Sequence, residues 1–91
     1  MSIEEKIPLI NKVVADYFKQ NPSEDKIQAK ELMSQFLTEG IFKSNHRDGL
    51  PIRELLRSLN SENRLSEIPQ VLGEKKEVNT NWFFIRSKSQ E

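Results

Sequence analysis

The spacing of apolar residues changes once along this chain, and that change constrains the fold more than any other feature. Up to Leu65 apolar side chains recur at intervals of three and four, and beyond it at intervals of two. The first spacing puts residues on one face of a helix and the second puts them on one face of a strand. The chain therefore reads as helices followed by strands, an α+β fold that is mainly α. In the first segment Ile7, Leu9, Ile10, Val13, Val14, Tyr17 and Phe18 form one broad face, with Lys12, Asp16, Lys19 and Gln20 opposite. Ser2 and Glu5 fit a capping box. Pro8 suits a first turn and fits poorly in a helix interior, so a frayed start near Glu4 is expected. Asn21-Pro22-Ser23 ends the helix, because a residue before proline is pushed out of the α region.

The second segment is cleaner. Ala29, Leu32, Met33, Phe36 and Leu37 predict an amphipathic helix of about three turns, and Gly40 sits where a left-handed cap belongs. Gln28, Lys30, Glu31, Ser34, Gln35 and Thr38 face outward. The third helix lies in HRDGLPIRELLRSLNSENRL, His46 to Leu65. Asp48-Gly49 signals a turn and Pro51 fits the first helical position. Ile52, Leu55, Leu56 and Leu59 make the buried stripe, and the helix ends near Glu62 with Asn63 left-handed.

The strands follow. Ile68 to Leu72 reads as a short strand with Pro69 near its start, which suits a sheet edge. Gly73 to Glu77 is a polar turn. Val78 to Ile85, VNTNWFFI, alternates so that Trp82 and Phe84 share one face and Phe83 and Ile85 the other. Such an aromatic run is either the inner wall of a small core or a stacking platform for single-stranded bases. An exposed Trp or Phe there would mark a partner-binding or dimerisation patch. Residues 1–91 make one domain with a core over about 4–86 and a loose polar tail at 87–91.

Composition narrows the function. Fourteen basic residues balance fourteen acidic ones, so a polyanion-binding surface has to come from local clustering. The absence of cysteine removes disulfides, thiolate metal sites and cysteine nucleophiles, and fits a reducing cytoplasm. Apolar runs such as Trp82 to Ile85 fall far below the roughly 20 residues that span a bilayer, and MSIEEKIPL does not read as a signal peptide. A soluble cytoplasmic protein without a membrane partner is expected. His46 is the one histidine, with only Asp48 and Asn45 nearby. No Ser/His/Asp arrangement, glycine-rich phosphate loop or cluster of metal ligands occurs, so no catalytic residue, metal, cofactor or small-molecule substrate is expected.

Three helices and then a two-stranded hairpin is the order of a winged helix-turn-helix domain, which the chain resembles from about Ile7 to Arg86. KIQAKELMSQFL resembles that family's short strand leading into the second helix, with Ile27 as the strand residue. LLRSLNSENRL resembles its closing pattern, with Leu56, Leu59, Asn63 and Leu65 in the characteristic places. QVLGEKKEVNTNWFFI would be the wing, with its tip at Gly73 to Glu77. The connection from Gly40 to Leu50 departs from the pattern, being longer than the roughly 3–4 residues of a tight helix-turn-helix. Ile41 and Phe42 are expected to fold back onto the core, leaving Lys43 to Asp48 as an exposed loop.

The resemblance implies double-stranded DNA as the partner, with the third helix (about 51–62) in the major groove, as in a transcriptional regulator or accessory factor. Arg53, Arg57 and Asn60 are spaced i, i+4 and i+7 on its outer face, and Arg64 follows its end. Arginine can pair with guanine and asparagine with adenine. Lys43, His46 and Arg47 could sit on phosphates, as could Lys75 and Lys76 at the wing tip, where Glu74 and Glu77 cancel their charge. The competing reading is a solvated helix face with Glu54 and Arg57 weakly paired, on a protein-protein interaction module that uses the aromatic hairpin. A monomer would make few phosphate contacts and bind weakly, so a homodimer or larger complex is the expected working form.

Overall fold

The computed structural model describes residues 2–45, 47–77 and 79–86. Helix α1 spans Ile3–Gln20. A short strand β1, Lys26–Gln28, leads through a 3-10 turn, Ala29–Leu32, into helix α2, Met33–Thr38. Helix α3 spans Leu50–Ser61, and a second 3-10 turn, Leu65–Glu67, precedes strands β2, Val71–Lys75, and β3, Thr80–Ile85. The sheet is antiparallel with order β1-β3-β2.

Most of these elements end where their local chemistry requires. At the start of α1 the Ser2 hydroxyl accepts the Glu5 N–H while the Glu5 carboxylate accepts the Ser2 N–H, closing the capping box. These bonds from Ser2 hold the Glu5 carboxyl below its ordinary range. The helix starts at Ile3 and runs through Pro8, so it is not frayed to Glu4. The ring is exposed, and the amide it lacks would have met the carbonyl of Glu4 on the same wet side. Gly40 and Asn63 both adopt positive φ, as their places after α2 and α3 require.

The strands depart from the expected two-stranded hairpin. A third strand is present because Ile27, flanked by Lys26 and Gln28, pairs with Phe84 on the far side of β3. Strand β2 starts at Val71 rather than Ile68: the chain from Leu65 makes a 3-10 turn instead, and the Ile68 N–H bonds to the Leu65 carbonyl. The strands part beyond Lys75, where the Lys76 N–H bonds to the Asn79 carbonyl, and not at Gly73. Gly73 is a strand residue opposite Trp82. A Cβ there would stand 2.8 Å from the indole, so this glycine serves close approach and not a turn. The second helix is also divided, with its first four residues wound as 3-10.

The core forms where the inner faces meet. Ile10, Val14 and Phe18 of α1, Phe36 of α2, Ile52, Leu56 and Leu59 of α3, and Phe84 of β3 are all buried. Ile41 folds back into this core, and Phe42 packs edge-on against Phe36. Trp82 and Phe84 lie on one face, as the alternation requires, and it is this face that points inward, while Phe83 and Ile85 stay half-exposed. Arg86 ties the sheet to α1: its guanidinium donates to the carbonyls of Phe18, Asn21 and Glu24 and meets the Asp25 carboxylate. No helix among the described residues is long and apolar enough to cross a membrane.

Candidate nucleic-acid interface

The leucine stripe of α3 decides which of its side chains reach solvent. With Ile52, Leu55, Leu56 and Leu59 turned inward, Arg57 and Asn60 are exposed on the outer face and Arg53 is half-buried at its start. The chain reaches α3 through three consecutive residues with positive φ, Arg47, Asp48 and Gly49. The Asn45 side-chain oxygen accepts the Gly49 N–H at 2.7 Å. Asp48 pairs with Lys30 at 3.3 Å, and a Cβ on Gly49 would meet the Lys30 Cβ at 2.4 Å.

Beside this turn the sheet is incomplete. Strand β1 ends at Gln28, opposite Phe83, so Thr80 to Trp82 have a strand partner only on the β2 side. The chain instead turns away into Ala29–Leu32, leaving a groove of about 490 Å3 between α3 and β3. Gln28, Asn79, Thr80 and Asn81 supply amide and hydroxyl groups along it. Among the described residues its charged lining is Lys30, Arg47, Arg53 and Arg57 against Asp48 alone. A chain with zero net charge thus concentrates cations in one concave place.

These cations differ in availability. The side chains of Arg47 and Arg57 are exposed and form no ion pair among the described residues. Arg53 is engaged with the chain itself: Nη2 donates to the Arg47 carbonyl at 3.0 Å and Nε to the Gly49 carbonyl at 3.3 Å. Lys43, Lys75 and Lys76 are exposed outside the groove, the last two where the hairpin turns. Glu74 does not neutralise them, because it pairs with Lys26 across the sheet, and the same Lys26 ammonium lies 4.2 Å from the Phe83 ring centre. His46 lies outside the described residues.

Arg64 stands apart from the groove. Its guanidinium meets Glu67 through Nε at 2.8 Å and Nη2 at 3.1 Å, Glu62 at 3.0 Å and Glu4 at 3.2 Å. The Glu67 bonds, and then that of Glu62, raise its pKa further above the ordinary arginine value, while the same contact lowers the Glu67 carboxyl. This arginine is already surrounded by counter-charge. The structure therefore separates it from Arg53 and Arg57, with which the sequence groups it.

Several groove residues carry no obvious signal in the sequence. Lys30 reads as one of many outward helix residues, and Asn79, Thr80 and Asn81 as the start of a strand. Two asparagines in a strand otherwise rich in β-formers are the one hint, since asparagine is disfavoured there without a local reason. Among the described residues no group of three or more His, Asp or Glu side chains is placed to hold a metal ion. Compared with protein-family models, curated proteins and solved structures, the chain matches none.

Proposed function

We propose that this chain is a small winged-helix protein that binds double-stranded DNA, as a transcriptional regulator or accessory factor, with α3 in the major groove. The element order, the short strand before α2 and the β1-β3-β2 sheet support the winged-helix reading. The observation that carries the DNA reading is the charge of the groove, four cations to one carboxylate in a chain of balanced charge. Neutralising phosphates releases condensed counterions, so such a cluster is what a duplex backbone rewards. In this reading Arg57 and Asn60 face base edges, and Arg47 with Lys43, Lys75 and Lys76 contacts phosphates. So few contacts make a monomer bind weakly, and two copies or a larger complex supply the working affinity.

Fluorescence anisotropy with a mixed-sequence labelled duplex, at low and at physiological salt, tests the proposal. Binding that weakens steeply with salt is the expected result. A flat titration at low salt would overturn it. The half-exposed apolar residues on the outer sheet face, Leu72, Phe83 and Ile85, would then favour a protein partner for the hairpin.

A further inference from the structure

We propose that Arg53 is a positioning residue: it straps the turn before α3 so that Arg47 is delivered into the groove. The inference rests on the duplex-binding reading above and assigns separate tasks to two arginines that the helical spacing makes look alike.

The turn needs a strap. Arg47 at φ 54° and Asp48 at φ 47° occupy the left-handed region, which aspartate tolerates but a long side chain such as arginine enters only at a cost that its surroundings offset. Gly49, at φ 93°, is pressed against Lys30 and has no room for a Cβ. Three contacts oppose relaxation: Asn45 on the Gly49 amide, Lys30 on the Asp48 carboxylate, and Arg53 on the carbonyls of Arg47 and Gly49. Only Arg53 reaches back from the folded helix, one turn, to bridge two carbonyls on either side of Asp48. Long helical side chains lean toward the helix N-terminus, which aims this one at the turn.

The chemistry requires an arginine. Nε and Nη2 are two donors in a rigid plane, and each takes one carbonyl. A lysine keeps the charge but offers a single compact ammonium on a flexible stem, and does not reproduce the fork. Arg57, one turn further on, makes no such contact among the described residues and is exposed. Arg53 thus orders the backbone of Arg47, while the Arg47 side chain contributes the charge.

Charge and strap are separated by Arg53→Lys beside Arg53→Ala, Arg47→Ala and the Arg47→Ala/Arg53→Ala double variant. Duplex affinity is expected to fall by the same factor in both Arg53 variants as in Arg47→Ala, and no further in the double variant. Each is expected to lose about 0.9 from the slope of log affinity against log salt, the share of one phosphate. In DNA-free protein, the Gly49 amide is expected to exchange faster in both Arg53 variants, with the amides of Leu55, Leu56 and Leu59 unchanged. Full binding by Arg53→Lys, additive losses in the double variant, or an unaltered Gly49 exchange rate would each overturn the proposal. If the unaltered chain binds no duplex at any salt, the DNA reading fails and the exchange measurement alone decides the strap.

Discussion

The outer face of α3 and the turn that follows it carry the same residue type to opposite effect. In the second half of α3 Arg57 projects beside the groove with no ion pair among the described residues, and just past its end Arg64 is gripped by Glu4, Glu62 and Glu67. In the sequence both are arginines near one amphipathic helix. The difference comes from what the fold brings near them. Glu67 arrives on the 3-10 turn that replaces the expected strand start, and Glu4 comes from the far end of the chain on the first turn of α1. An arginine is available to a polyanion only if the fold has not already given it counter-ions.

The change with the largest expected effect should erase the comparison. Leu56 is fully buried in the stripe that holds both ends of α3 in place. Leu56→Ala is expected to cost roughly 2–5 kcal/mol in urea unfolding, from lost burial and the cavity left behind. A near-neutral result would mean that α3 is not anchored by this face.

Single arginine changes should sharpen it. Arg57→Ala is expected to weaken duplex binding and lower the salt slope while stability stays within about 0.5 kcal/mol, as at most exposed sites. Arg64→Ala is expected to do the reverse, lowering the thermal midpoint and leaving anisotropy titrations unchanged. If both variants lose binding equally, the two arginines belong to one surface and the distinction fails.

The smallest expected effect is in acid. The Arg64 contact holds the Glu67 carboxyl below its ordinary value of 4.5. Its folded pKa is depressed, so its contribution to stability is fully present above 4.5 and is lost as pH falls through the lower, folded value. Glu67→Gln should therefore flatten the acid limb of the stability curve and lower the neutral plateau without changing its slope. An acid limb as steep as that of the unaltered chain would show that this pair contributes little to acid sensitivity.

Much of the architecture was legible because it depends on local rules. The capping box at Ser2, the left-handed Gly40 and Asn63, the leucine stripe of α3 and the shared face of Trp82 and Phe84 follow from spacing and backbone preference, while burial in the folded core decides that this face is the inner one. The strand boundaries were misread where a local signal served a distant contact. Gly73 looks like a turn residue, but its missing side chain makes room for Trp82. Ile68 looks like the start of a strand, but a 3-10 turn buries it in the core.

The candidate site divides along the same line. By itself the sequence determined which helix face is wet, that Arg53, Arg57 and Asn60 lie along it, and that no cysteine chemistry occurs. Those properties depend on residue type and short-range periodicity. Only the tertiary structure decided that Lys30 and Arg47 join Arg53 and Arg57 beside an open strand edge, that Arg53 is bonded to its own chain, and that Arg64 is surrounded by carboxylates. Electrostatic availability depends on which charges come within a few ångströms, and that distance is set by contacts between residues far apart in the chain.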